Sequence, residues 1–486
     1  MKKKRPSREQ LLKLAKEDPE SLVDLVLMLW DRVEALEAEV AELKRNSRNS
    51  SKPPSSDHFK PSKPEDKVPG KPKKRRKQGG QPGHKGHTLR RVDDPDWICE
   101  HRAPAECDDC GASLRRVRKK DRQWESRQVF DLPESITVEV TEHRAEVVPC
   151  PCCGKNVKAA FPEEVKAPVQ YGEGIMALAA YMQTYQILPC DRLREFFEDV
   201  FNITIGNATL ANFLERGGAR ASPVAESIKN QLGEARFVFS DETGWNLFGK
   251  TNWLHTVSTS RLTYLEVHEK RGYDAILAMG ILPDYKGWVV HDFFSSYYKL
   301  KECKHSLCNA HHLRDLTYVA ESLGQPWASD MIDLLLEAKK LKDREQAGGR
   351  PVGSKTLERL QKCYFEILKA GYALNPEPKR RKGQRGKLKR GKALNLLDRF
   401  LNRQEEVMAF LIHEMPFDNN QAERDLRMMK VKQKISGCFR SRKHAQSFAR
   451  FRSIIGTARK QSINILEILK ATLTDQRRAA YLLAGT

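Results

Sequence analysis

The sequence predicts an α+β multidomain protein, and three observations carry that expectation. A leucine–valine heptad runs through residues 22–43. Two Cys-x-x-Cys-Gly turns follow, at Cys107–Gly111 and Cys150–Gly154. From Phe237 onward, short β-prone runs alternate with amphipathic helical ones. A chain of 486 residues has material for several domains. Lys and Arg number 86 against 64 acids, a net charge of +22, which calls for a polyanionic partner, nucleic acid before a membrane surface. No apolar run approaches the ~18 residues a span needs, and MKKKRPSREQ lacks a signal-peptide core, so the expected compartment is the cytoplasm. There the eleven cysteines read as thiols or metal ligands rather than disulfides.

Residues 1–48 are expected to hold a coiled-coil helix. Leu22, Leu29, Leu36 and Leu43 recur every seven residues with Val26, Val33 and Val40 between them, the pattern of a parallel two-stranded zipper. A single amphipathic helix packed on its own chain fits the same spacing. Asp18 and Pro19 suit the N-cap and first helical position. Residues 49–94 are a basic linker too poor in apolar residues to bury a core. Its Lys73, Lys74, Arg75 and Arg76 are candidate phosphate contacts.

Residues 95–165 read as a zinc ribbon, in which Cys107, Cys110, Cys150 and Cys153 supply four thiolates to a structural zinc. Cys99, His101 and Cys152 lie near enough in sequence to compete as ligands. The alternation in ITVEVTEHRAEVV (Ile136–Val148) predicts a strand leading to the second knuckle. Residues 166–232 predict three short helices, Gly172–Gln186, Pro189–Phe201 and Gly206–Gly218. The polar faces with Arg192, Arg194 and Arg216 are open to DNA, and Asn207–Arg216 is the candidate for the groove, unless the segment is only a helical spacer.

Residues 233–440 predict the catalytic domain. Phe237–Phe239 form a buried strand with Asp241 at its end, where Thr243 and Gly244 break the pattern. Thr251–Thr259 and Arg261–Glu269 follow as strands, then a helix (Tyr273–Gly280) and a fourth strand in GWVVHDFF that ends at Asp292. Ser306–Leu313 leads from a fifth strand into a helix. That order is the order of an RNase H-like core, whose first and fourth strands are neighbours, so that Asp241 stands beside Asp292. Residues from about 320 to 393 are a helical insertion ending in PKRRKGQRGKLKRGK, where Arg380, Arg381 and Lys382 belong to a loop on DNA or simply on the surface. A helix over Leu394–His413 returns the chain to the core. Asp418 caps a last catalytic helix with Glu423 in its second turn; the alternative role for Glu423 is an ion pair with Arg427. RMMKVKQKISGCFRSRK (Arg427–Lys443), including Arg427, Lys430 and an interleaved Phe439, is basic enough to track a DNA strand. Cys303, Cys308, His311 and His312 fit a metal site less well than a helix start or a DNA contact. Residues 441–486 are C-terminal helices.

SDETGW, the Gly249–Lys250 turn before WLHTVST, His291–Asp292, CNAHHLRDL (Cys308–Leu316) and DNNQAERDLR (Asp418–Arg427) together resemble the DDE transposases of the insertion-sequence-sixty-six family, TnpC-type. NSSKPPSSD, GGQPGHKGH and the knuckles resemble it too, so the likeness runs from about residue 20 to the C-terminal helices. The resemblance implies a helix-turn-helix-like region ahead of the core, and Glu423 rather than Asp425 as third acid. It implies a nucleoid-associated DNA transposase in which Asp241, Asp292 and Glu423 hold two Mg²⁺ (or Mn²⁺) ions. Hydrolysis would free the element's ends and a DNA 3′-hydroxyl would join them to target DNA. A homodimer or higher multimer, with possible accessory proteins of the same element, would hold the two ends. The rival readings are a nuclease of the same fold without strand transfer, and a non-catalytic zinc-containing DNA-binding regulator.

Overall fold

The computed structural model describes residues 8–43, 90–116, 118, 123–133, 136–378, 388, 390–437 and 439–484. The basic candidates Lys73, Lys74, Arg75, Arg76, Arg380, Arg381 and Lys382 lie outside the described residues. The chain divides into two compact units, residues 62–140 and the rest. Among the described residues there are fifteen α-helices and seven strands, and no helix is long and apolar enough to cross a membrane.

The N-terminal segment carries two helices where one was expected, α1 (Arg8–Glu17) and α2 (Pro19–Leu43). The break is chemical: Asp18 Oδ1 accepts the Ser21 N–H at 3.1 Å, and Pro19 has no N–H to continue α1. Val26, Leu29, Val33, Leu36 and Val40 keep 43–54% of their surface open, so this stripe is not packed on the chain's own described residues.

In the unit of residues 62–140 the first knuckle closes as a hydrogen-bonded turn. The Gly111 N–H donates to the Cys107 carbonyl (2.9 Å) and the Cys107 N–H to that of Ala112 (2.9 Å). Gly111 sits at φ +69, which a side chain would strain.

The second knuckle, in the larger unit, repeats that geometry. Gly154 N–H donates to Cys150 O (2.8 Å), Cys150 N–H to Lys155 O (2.8 Å), and Gly154 has φ +69. It caps a hairpin of β1 (Val147–Pro149) and β2 (Asn156–Lys158). The strand expected over Ile136–Val148 is regular only from Val147, because the preceding side chains are mostly exposed and find no partner strand.

Three helices follow, α3 (Glu173–Thr184), α4 (Cys190–Phe201) and α5 (Asn207–Gly233). The third was expected to stop at Gly218 and to present itself to DNA. It runs on for four more turns, and Leu210, Phe213, Leu214, Ala221, Val224 and Ile228 bury it in the main core. Gly217 and Gly218 are not a stop. They are the crossing point with α13 (Arg442–Lys460): a Cβ on Gly218 would stand 2.2 Å from Ser447 Oγ and 2.7 Å from Ser447 Cα.

The sheet has the order β5-β4-β3-β6-β7, built from β3 (Phe237–Leu247), β4 (Lys250–Ser258), β5 (Thr263–His268), β6 (Trp288–His291) and β7 (Lys304–Leu307), with α6 (Tyr273–Met279) between β5 and β6. β3–β4 and β4–β5 are antiparallel; β3–β6 and β6–β7 are parallel. The first and fourth strands of this sheet in chain order, β3 and β6, are neighbours, as expected. β3 does not end at Asp241, however. Thr243 and Gly244 continue in register opposite Leu254 and Trp253, because β4 is long enough to pair all of it.

After α7 (Asn309–Leu323), helices α8 (Pro326–Ala347), α9 (Ser354–Leu374), α10 (Lys392–Asn402) and α11 (Gln404–Ile412) close a second core around Trp327, Tyr364, Leu397 and Phe400. The single helix expected over Leu394–His413 breaks at Arg403. The chain ends with α12 (Asn420–Ser436), α13, α14 (Ile465–Thr474) and α15 (Gln476–Ala484).

Candidate active site

Period two along a strand decides which acids meet. On β3, Val238, Ser240 and Glu242 share one face and Phe239, Asp241 and Trp245 the other. On β6, Phe239 pairs with Val290, and the same step of two residues along both strands sets Asp241 beside Asp292 on that second face. Phe239 and Val290 pack there against Ala422 of α12, the residue before Glu423. Two strand acids and one helical acid thus gather over a small apolar patch.

The start of α12 is tied to β3 by name. Asn419, 1% exposed, donates from Nδ2 to the Ser240 carbonyl (2.8 Å), and its N–H reaches Cys308 Sγ (3.1 Å). The Asn309 N–H donates to Phe417 O (3.0 Å), so α7 and α12 begin side by side. Asn419, not Asp418, occupies the N-cap; Asp418 Oδ1 accepts only from Asn420 N–H (3.1 Å). Glu423 therefore falls in the first turn, where the helix N-terminus favours an anion. It does not pair with Arg427. Arg314 Nη2 on α7 holds its carboxylate at 3.4 Å, and the neutral His311 ring stands 3.9 Å away. Truncating Asn419 to Ala is expected to cost about 1–3 kcal/mol. Cleavage should fall with DNA affinity unchanged, read by denaturant unfolding and filter binding; equal stability and cleavage would remove the tether from the account.

The electrostatics of the cluster are those of an anion surplus. The Asp241 carboxyl is pushed well above the usual carboxylate range by burial first, then by Glu242 and Asp292, with Glu423 adding less; the Glu242 N–H (2.8 Å) opposes this. Burial also raises Asp292, against the Phe294 N–H (2.9 Å) and the charges of Arg271 and Arg399. Among the described residues Asp241 has no cation in salt-bridge range, and no three His, Cys, Asp or Glu side chains stand close enough to hold a metal ion between them.

Two residues of the cluster escaped sequence reasoning. Glu242, on the opposite face of β3 from Asp241, is buried, takes the Arg271 Nε–H (2.8 Å) and the Tyr297 hydroxyl (2.9 Å), and adds its charge to the site from behind. Two successive acids in one strand must face opposite ways, so the signal was there for Glu242; nothing in EKRGYD announces Arg271.

Other candidates fall elsewhere. Cys308 precedes α7 as its N-cap, and burial pushes its thiol up to about 12, leaving it neutral. His312 is buried with Nδ1 on Asn309 Oδ1 (3.0 Å), and burial holds His311 down at about 3. Arg427 is exposed on α12, whereas the Lys430 ammonium donates to the Gly244 carbonyl of β3. Phe439 does not lie open to a strand: it is 4% exposed and packs edge-on against Trp245 (5.2 Å). In the knuckles, the Asp109 and Cys110 N–H groups lower the Cys107 thiol, and those of Cys153 and Cys152 lower Cys150.

No curated protein matches the chain. A family of unknown function (DUF6444) matches residues 5–90, and the Transposase IS66 family matches residues 168–447, which contain the whole sheet, both strand acids and Glu423. That match spans more than half of the 486 residues, and the chain belongs to the IS66 family of transposases.

Proposed function

We propose that this transposase cuts and joins the ends of its insertion sequence on an RNase H-like core, with Asp241, Asp292 and Glu423 as the catalytic carboxylates. The observation that carries the reading is the shared face of Asp241 and Asp292, with α12 tethered to β3 at Ser240. The donor set fits hard divalent cations: it offers carboxylate oxygens, and the one nearby thiol, Cys308, is kept protonated by burial. Two such ions, when bound, activate the attacking oxygen and neutralise the leaving one in an in-line displacement. The chain's own part is to hold and orient. Asp241 and Asp292 supply surplus negative charge in a dry setting, and Glu423 gives up Arg314 to join them. Arg427, exposed on α12, meets the DNA backbone. The attacking group is water during cleavage and the DNA 3′-hydroxyl during joining, so no covalent protein–DNA bond is required.

The open apolar stripe on α2 supports a second copy of this chain as its partner, which brings two DNA ends together. The lowered Cys107 and Cys150 thiols suit each knuckle to zinc ligation. Protein purified without chelators is expected to carry zinc and to lose it after Cys107→Ser or Cys150→Ser; zinc-free wild type would contradict the ribbon.

The activity itself is tested with duplex DNA carrying the element's own ends. Wild type is expected to nick them in Mg²⁺ and not in EDTA, and Glu423→Gln to bind but not nick. Nicking by Glu423→Gln at the wild-type rate would favour the non-catalytic or otherwise-catalysed alternatives.

A further inference from the structure

At the opposite end of β6 from Asp292 lies a cavity of about 370 Å³ that the catalytic reading does not use. Trp288 opens β6 and stands in register with Lys304 of β7. The four-residue strand puts this end about 13 Å from Asp292. Arg236, just before β3, accepts the Trp288 N–H on its carbonyl (3.1 Å). Lys342 enters from α8, Arg350 from the loop after it, and His413 from the end of α11, its ring against Trp288 at 4.6 Å.

Cations outnumber acids in this cavity: Arg236, Lys304, Lys342 and Arg350 line it against Glu414. Arg236 and Arg350 have carboxylates at 3.8 Å (Glu414) and 3.5 Å (Glu345). Lys304 and Lys342 have none in salt-bridge range among the described residues; Lys304 lies over the Trp288 ring at 5.6 Å. Lys342 is 9% exposed, and its ammonium donates to the Met415 carbonyl (2.6 Å). Burying a lysine with a single carbonyl partner is costly, and an anion in the cavity offsets that cost. A volume of this size suits one small ligand, and cations beside an aromatic pair suit a phosphate joined to a planar base.

We propose that this cavity takes one nucleotide of an unpaired DNA strand, its phosphate against Lys342 and Lys304 and its base against Trp288 and His413. The site is thus a second DNA contact, remote from the carboxylates. It rests on the transposase reading only for the choice of DNA, since it needs no chemistry at Asp241.

The test uses the full chain as purified, in Mg²⁺-free buffer without chelator, with a labelled single strand of about 12 nucleotides carrying 5-iodouracil and a duplex of equal length. Lys304→Glu with Arg350→Glu is the main variant; both side chains are exposed, so folding is not at stake. Irradiation is expected to cross-link the single strand to the peptides holding Trp288 or His413. The variant should bind the single strand about tenfold more weakly, with a log–log salt slope smaller by about 0.7, one phosphate contact's worth. Duplex affinity should change less. Trp288→Leu should lose the cross-link while the melting temperature checks that the chain still folds. Absence of the cross-link, or equal loss of single-strand and duplex affinity, overturns the proposal. So does displacement of the strand by thymidine monophosphate at equal affinity, which would make the occupant a free nucleotide. Because no step needs a divalent ion, failure here leaves the catalytic reading standing, and failure of Mg²⁺-dependent cleavage leaves this one standing.

Discussion

Asp241→Asn is expected to bind DNA as wild type does, to cleave it roughly a thousandfold more slowly or worse, and yet to melt at a higher temperature in Mg²⁺-free buffer. The loss follows from removing one of the three carboxylates that would hold the ions. The gain follows from the same geometry. A buried carboxylate beside Asp292, with the Glu242 charge close behind it, is destabilising while ionised, and Asn keeps an oxygen for the Glu242 N–H without the charge. The gain should be on the order of 1 kcal/mol. Its pH dependence has a fixed sign. The folded pKa of Asp241 is raised above its unfolded value, so the penalty is fully present above the folded pKa. It disappears as pH falls toward the ordinary carboxylate range. The advantage of the Asn variant over wild type should therefore shrink on acidification. Mg²⁺ should reverse the order at neutral pH, since a ligand at a hundred times its dissociation constant stabilises the folded state by about 2.7 kcal/mol, and only wild type binds it well. A variant that loses cleavage and stability together would point to a structural rather than a ligating role.

Gly218→Ala is expected to be the most damaging small substitution in the helical region, at about 3 kcal/mol, the upper end for overpacking. The new methyl would meet Ser447 Oγ at 2.2 Å, Cβ at 2.3 Å and Cα at 2.7 Å, and a backbone atom cannot rotate away. Gly217→Ala should cost less, because its nearest neighbour, Phe451 Cζ at 2.8 Å, is the far end of a side chain. Ser447→Gly in the Gly218→Ala background should recover part of the loss, and Ser447→Ala should not, because its Cβ remains. Chemical denaturation of these four variants and of Ser447→Gly alone measures this, and additivity of Gly218→Ala with Ser447→Gly would mean that α5 and α13 do not cross there.

The contrast between Gly218 and Asp241 explains what the sequence could and could not reveal. Strand order and the neighbouring acids were legible because β-prone runs bounded by turns and ending in acids constrain pairing strongly. Gly217–Gly218 was misleading: a glycine pair marks a turn or a tight helix crossing equally well, and only the partner helix, more than two hundred residues later, distinguishes them. Phe439 was misleading in the same way, since an aromatic among cations suits DNA stacking until Trp245 is seen to claim it. The true length of β3 was hidden by Thr243 and Gly244, poor strand residues that the long β4 pairs anyway. Arg271, Arg314 and Arg399 come from three separate elements and converge on the acids only in the folded chain, leaving no local pattern to find.

Manganese is the direct probe of the claim that these carboxylates act as one site. Electron paramagnetic resonance titration should count two Mn²⁺ per wild-type chain in the presence of DNA. Affinity should fall by roughly tenfold or more, about 1.4 kcal/mol, in each of Asp241→Asn, Asp292→Asn and Glu423→Gln. Glu242→Gln, altered on the far face of β3, should still bind two. Undiminished Mn²⁺ binding by Glu423→Gln would separate α12 from the strand acids and contradict the account.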